Sequence, residues 1–273
     1  MRLSAHVQHN EFKSRYDVST LKEKTMLVYN NFSRQFVRPF LLWPCFVASS
    51  SVTAGPYAVD NDSNEFGLVV QAVSDWIYDG TTETRSEPSV GINGELRLQP
   101  NVFFGFEAHD GSVESGQRRE RERSVAVYIG FDKTLGRDWY TALSLQHREF
   151  PGSNVEWDFT EATLQFAYRD NWSFTLDYSP DYYERDTSAF GSELSYTRNI
   201  NSRSYWSLQA GTQQLSESQF TDYHYARLGV GLSAASFNVD LSYGWNSEDG
   251  TLLFGAQPIL SPKLVLQLIY RLK

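Results

Sequence analysis

Apolar and polar residues alternate with a period of two along most of this chain. The clearest stretch is Glu161–Ser179. Ala162, Leu164, Phe166 and Tyr168 fall on one side, and Glu161, Thr163, Gln165 and Ala167 on the other. After Arg169-Asp170-Asn171 the alternation restarts, with Trp172, Phe174, Leu176 and Tyr178 against Ser173, Thr175, Asp177 and Ser179. Such alternation predicts strands with one apolar and one polar face, and the short Asp/Asn turn makes them a hairpin. Aromatics flank the turn and end the second strand, as in a hairpin whose outer face crosses lipid. A soluble sandwich hairpin alternates in the same way, so the rest of the chain has to decide.

The same pattern predicts twelve strands: Phe66–Tyr78, Ser89–Leu98, Val102–His109, Ser124–Phe131, Trp139–Arg148, Glu161–Tyr168, Trp172–Ser179, Phe190–Thr197, Tyr205–Gly211, Tyr225–Leu232, Phe237–Trp245 and Leu264–Leu272. The segments between them alternate in length. Those near 99–101, 132–138, 169–171, 199–202 and 233–236 are short, and those near 79–87, 109–123, 150–158, 180–187, 214–221 and 247–261 are long. A sandwich has no reason to alternate so regularly, whereas an outer-membrane barrel has short periplasmic turns and long outer loops. The expected fold is therefore all-β, a transmembrane antiparallel up-and-down β-barrel of about 12 strands over 66–273. Thr251–Gln257 could form a further strand and is placed in the last loop.

Composition agrees with this and adds a leader. No apolar run of 18 residues exists, so no helix meets the usual length for crossing a bilayer. The mean hydropathy of −0.44 does not argue against a barrel, whose strands are apolar on one face only. Residues 1–54 hold seven Lys/Arg and three acids, net +4. That leaves 17 basic and 30 acidic residues in 55–273, net −13 of a total of −9. Arg34 and Arg38 precede the apolar Phe40–Ala48, and small residues follow up to Ala54. This is the layout of a signal peptide cleaved after Ala54, with Met26 as an alternative start and 55–65 as a polar lead-in. Export to the bacterial outer membrane follows. Cys45 is the only cysteine. The bulky Trp43-Pro44 before it does not suit acylation, and cleavage after Ala54 leaves a mature chain without thiol chemistry.

Three short motifs carry a family resemblance. Ser74-Asp75-Trp76-Ile77-Tyr78-Asp79-Gly80 after the first strand is similar to the Ser-Asp-Tyr segment that opens the TorF porin family. Glu149-Phe150-Pro151-Gly152 resembles that family's Tyr-Pro-Gly loop, and Phe220-Thr221-Asp222-Tyr223 resembles its Thr-Asp-Tyr start of a late strand. The resemblance runs in order over 66–273 and implies an outer-membrane pore, without naming a substrate. Many outer-membrane barrels finish on Phe or Trp; here Arg271-Leu272-Lys273 follow Tyr270.

If the apolar parity faces lipid, the other parity lines the lumen. It supplies Glu95, Glu107, Glu161, Asp177, Glu193 and Asp240 against Arg97, Arg148, Arg227 and Arg271. Charges there need water or one another. Acids outnumber bases, which predicts a weak cation preference. Pairing of the same charges across the barrel would instead plug it, because twelve strands lie between the filled eight-stranded barrels and the open porins. Tyr205, Tyr223 and Tyr225 are further inward candidates. Trp76, Trp139, Tyr168, Trp172, Tyr178, Trp206, Tyr243, Trp245 and Tyr270 are expected as membrane-interface aromatics.

No catalytic, cofactor or metal site is expected. Ser144 and His147, three apart in a strand, point to opposite faces. His109 and His224 lack metal-ligand spacing and are expected at the interface or in loops. The Arg118–Arg123 run mixes Arg with Glu and lacks interleaved aromatics, which suits a solvated loop near lipopolysaccharide phosphates rather than a nucleic-acid surface. The expected partners are outer-membrane lipid, lipopolysaccharide and small solutes or ions. The leading expectation is a diffusion channel. The alternatives are a plugged barrel that works through its loops and a soluble periplasmic binding domain.

Overall fold

The computed structural model describes residues 65–272 apart from 85–86, 99–100, 116–117, 153–157, 170, 218–220 and 248–262; for 111–122 it describes the backbone only. The proposed cleavage after Ala54, Cys45, the Met26 start and Thr251–Gln257 lie outside the described residues.

Twelve antiparallel strands close into one barrel. They are β1 (Glu65–Val73), β4 (Ser89–Leu98), β5 (Val102–Ser115), β6 (Arg118–Leu135), β7 (Trp139–Glu149), β8 (Phe159–Tyr168), β9 (Trp172–Ser179), β10 (Ala189–Asn199), β11 (Ser204–Leu215), β12 (Tyr223–Ala234), β13 (Phe237–Asn246) and β14 (Lys263–Leu272). Each pairs with its sequence neighbour, and β1 closes on β14 with Val70 opposite Tyr270. Closure leaves no open edge, as a bilayer demands, since lipid offers no partner to an unpaired backbone group. Two short strands, β2 (Ile77–Tyr78) and β3 (Thr81–Thr82), form a separate hairpin.

The two faces are inverted relative to a soluble sandwich. Outward residues are large and apolar, and they stay uncovered: Val127, Leu143, Leu145, Leu208, Leu228, Val230 and Leu266 are all exposed. Inward residues are polar and buried along the full height of the barrel, from Gln146 and Thr163 to Gln165, Ser173, Asn238 and Ser242. A soluble domain with that outer surface would be an aggregation hazard, while lipid is its natural cover. The chain is a closed twelve-stranded β-barrel with an apolar outer face and a polar inner one, the arrangement of a membrane-spanning barrel.

Two expected boundaries are corrected. The first strand stops at Val73 rather than Tyr78. Ser74 caps the β14 ladder, its N–H donating to Leu266 O (2.9 Å) and its Oγ accepting from Leu266 N (3.0 Å), and the chain then turns inward. The segment 109–123, read as a loop, is mostly strand. Asp110 pairs with Arg123, Ser112 with Arg121 and Glu114 with Arg119 in the β5–β6 register. A strand built from alternating charges has no apolar parity and so escaped the hydrophobic pattern.

Candidate functional site: the charged interior and its inner hairpin

The β2–β3 hairpin folds into the barrel from the long-loop end. Asp79 and Gly80 between the two strands both have positive φ, 45° and 73°. An Asp-Gly pair is the preferred sequence for the two-residue hairpin turn that needs this conformation. Gly80 is also sterically required, because a Cβ there would overlap the Tyr225 ring. Within the insertion, Trp76 N donates to Thr84 Oγ1 (2.8 Å). The Thr84 (2.9 Å) and Thr82 hydroxyls both donate to Asp75 Oδ1.

One side of the insertion is bonded to the wall formed by β5 to β8. Trp76 is 3 % exposed and stacks on His109, with ring centroids 3.8 Å apart and planes within 8°. Trp76 is therefore not an interface aromatic, and His109 is neither a loop nor an interface histidine; both lie inside. Gly91 on β4 makes room for this stack, since a Cβ would meet the Trp76 ring at 2.6 Å. Glu83 anchors the hairpin base. Its Oε2 lies 2.6 Å from His109 Nε2 and 3.8 Å from Arg148 Nη1, and its Oε1 accepts from Tyr183 Oη at 3.3 Å. Burial alone would raise the Glu83 carboxyl, but Arg148 and His109 outweigh it and hold it below the usual range.

Arg148 is the centre of this wall. It is fully buried, donates to Glu107 Oε1 (2.8 Å) and Ser124 Oγ (2.6 Å), and lies over the Tyr78 ring at 5.0 Å. Tyr78 in turn donates from Oη to Glu161 Oε1 at 2.8 Å. Above it, Tyr182 and Tyr183 of the β9–β10 loop tuck in against Phe159 at 5.3 and 4.6 Å, so this loop too is partly interior. At the hairpin tip, burial and then Glu161, Asp177 and Glu193 raise the Asp79 carboxyl well above its ordinary value.

The remaining inward charges form separate groups. Toward the short-turn end, Arg97 Nε donates to Glu95 (2.8 Å) and its Nη1 to Asp132, which also accepts from Tyr140 (2.8 Å). Glu193 accepts from Gln209 (2.5 Å) and Tyr225 (2.9 Å), and Asp240 from Tyr205 (2.5 Å). Arg227 is buried, and Arg271 is half-buried near the end of β14. Tyr205 and Tyr225 lie over Gly231 and Gly211 of the neighbouring strand, where any Cβ would collide with the ring. These tyrosines fill space as well as bonding.

The outward aromatics gather at two levels. Trp139 contacts Tyr168 at 4.8 Å, Trp172 contacts Tyr196 at 4.4 Å and Tyr196 contacts Trp206 at 5.2 Å, all beside short turns. Tyr270 pairs with Phe237 at the same end. Tyr178, Tyr243 and Trp245 are exposed near the long loops. Ser144 is inside and His147 is exposed, on opposite faces.

Sequence reading missed Glu83, Tyr78, Asp75 and the interior role of Trp76 and His109. The available signal was Tyr78-Asp79-Gly80-Thr81, an Asp-Gly hairpin turn inside what looked like an open loop.

No family model matches this sequence, and no curated protein does. Among solved structures the barrel is similar to a KdgM porin, 8% identical over 76% of this chain and 98% of that one, with a TM-score of 0.49. It is also similar to a NanC porin, 9% identical over 76% and 99%, TM-score 0.49. A third likeness is to an outer membrane channel, COG4313, from Pseudomonas putida F1, 12% identical over 76% and 93%, TM-score 0.43. Likenesses this distant say nothing about a solute.

Proposed function

We propose that the protein is a narrow porin-like channel of the bacterial outer membrane for passive diffusion of ions and small solutes. In this reading the twelve-stranded barrel spans the bilayer between its two levels of aromatics, and the inner hairpin constricts it from the long-loop end. The TorF-like motifs of the sequence point the same way.

The observation that carries this reading is the number of buried inner-face polar atoms without a protein partner. Both amide atoms of Gln146, Gln267 Oε1, Asp177 Oδ1, Asp240 Oδ1 and Arg227 Nη1 are among them. Leaving such groups dry costs kcal/mol each, so they call for water threading the lumen. A barrel serving only as a scaffold would gain by filling those positions with small apolar residues.

The cation preference expected from the inward acids belongs to this proposal. Arg97 and Arg148 are each neutralised by two acids nearby, Glu95 with Asp132 and Glu107 with Glu83. Glu161, Asp177 and Glu193 are held by neutral donors, among them Tyr78, Thr163 and Tyr225. The balance inside is acidic.

The plugged reading stays as the second one. It is favoured by the near-complete burial of small inward residues such as Ser173, Thr175, Ser195 and Ser242, which an open lumen would leave wet. Planar-bilayer recording of refolded 55–273 in a salt gradient separates the two. Discrete steps with a reversal potential toward cations are expected for the channel. Correct insertion, shown by heat-modifiable gel mobility, without any steps overturns it in favour of the plug.

A further inference from the structure

The hairpin leaves two voids on the side away from its bonded wall. The larger, about 30 Å³, is bounded by Gly80, Tyr225, Asn246 and Lys263. The smaller, about 10 Å³, is bounded by Gln71, Asp75, Trp76 and Gln267. Ile77, Arg227 and Val265 line both. A water molecule needs roughly 10–15 Å³ measured in this way, so each space is at least about the size of one water, and Arg227 borders both.

Arg97 and Arg148 each pair with two acids, although Arg148 Nε itself has no partner. Among the described residues Arg227 forms no such ion pair; it is 7 % exposed and its Nη1 has no hydrogen-bond partner. The acids facing it are Glu193, Asp75 and Asp240. Each is engaged elsewhere: Glu193 by Gln209 and Tyr225, Asp75 by Thr84 and Lys263, and Asp240 by Tyr205. Arg148, by contrast, is tied to Glu107, Ser124 and the Tyr78 ring, under the hairpin and away from both voids.

We propose that the conducting route is off-axis, between the inner hairpin and the β12–β14 wall, and that Arg227 at its neck determines which sign of charge passes. This rests on the channel reading and sharpens it. A guanidinium N–H presented to a water-sized neck stabilises a passing anion and repels a cation, against the acidic balance of the lumen as a whole. Lys263 and Asp75 also line the route but are paired with each other at 3.2 Å, so the net preference of the channel is a contest between Arg227 and the acids farther from the path.

The test places a thiol on the border of both voids, Val265→Cys in a Cys45→Ser background. Its reaction with positively and negatively charged methanethiosulfonates is measured in refolded vesicles, alongside single-channel reversal potentials. Arg227→Gln is expected to raise the cationic-to-anionic rate ratio by about tenfold and to move the reversal potential toward cations. Arg227→Lys is expected to restore both, and Arg271→Gln, at an inward arginine that lines neither void, to leave the ratio within about twofold. An unreactive thiol overturns the route. An unchanged ratio in Arg227→Gln, or an equal change in Arg271→Gln, overturns the role of Arg227. Rates that shift in a barrel without conductance support the charged neck and overturn the channel reading. Discrete steps with unaltered selectivity in Arg227→Gln do the reverse.

Discussion

The inner hairpin meets two walls of the same barrel in two different ways. Against β5 to β8 it is held by an ionic and aromatic mesh: Glu83 on His109 and Arg148, Trp76 on His109, and Tyr78 on Glu161. Against β13 and β14 it is joined by hydrogen bonds from Asn246 Nδ2 to Gly80 O (3.3 Å) and from Lys263 Nζ to Asp75 (3.2 Å), with water-sized voids beside them. The difference shows how a symmetric-looking barrel acquires an asymmetric interior. Closure and the alternating pattern treat all strands alike, and the folded-in loop decides which inward charges become structural and which stay available.

Removing the centre of the bonded wall is expected to have the largest effect. Arg148→Gln leaves Glu107 and Glu83 buried without their cation, and breaking a buried pair in this way costs about 3–5 kcal/mol. Arg227→Gln breaks no such pair and is expected to cost about 1 kcal/mol or less. Urea unfolding of the refolded barrel in vesicles measures both. Equal losses would mean that the two walls are equally bonded.

The outer surface should not share the asymmetry. Leu145 on β7 and Leu228 on β12 are both exposed mid-strand. An arginine at either is expected to cost about 2–4 kcal/mol of insertion at mid-bilayer depth, and by a similar amount on both walls. A freely tolerated arginine at either position would show that this part of the barrel does not touch lipid.

The contact between Tyr78 and Glu161 is smaller. Tyr78→Phe keeps the ring under Arg148 and removes the hydrogen bond to Glu161, at an expected cost of about 1.5–3 kcal/mol at most, because the acceptor is a carboxylate. The informative readout is protection of the hairpin amides from hydrogen exchange. It should fall at Ile77–Thr82 while the β12–β14 amides keep theirs.

The division between what the pattern revealed and what it hid follows the same physics. The strands were legible because lipid on one side and water or charge on the other force period two on every one of them. The inward carboxylates and arginines were legible for the same reason, as parity alone places Glu161 or Arg227 inside. The hairpin was not, because two-residue strands are too short for a periodicity. Trp76 continues the apolar parity of β1, and only the turn at Ser74 takes it inside. His109 also sits on the polar parity, but a lone histidine has no signal until Trp76 and Glu83 reach it from another element. Which arginine is tied and which is free depends on those same long-range contacts.

Titration offers the finest probe of the bonded wall. Glu83 is held below the ordinary glutamate value of 4.5, chiefly because Arg148 and His109 outweigh its burial. Its contribution is therefore complete above that value and is lost as pH falls through the depressed one. Asp79 at the tip has the opposite sign. Burial and its acidic neighbours raise it above 3.8, so its contribution is complete below that value and fades as pH rises. Acid should thus loosen the base of the hairpin while it tightens the tip. We expect Val265→Cys reactivity, taken relative to a free small thiol at the same pH because only the thiolate reacts, to rise by about twofold to threefold on acidification below roughly pH 4.5, and Glu83→Gln to remove this rise. A rise that survives Glu83→Gln would assign the acid response to another inward carboxylate, Glu107 first, since it shares Arg148. No rise at all would mean that the aromatic contacts of Trp76 and Tyr78 hold the hairpin without the ionic anchor.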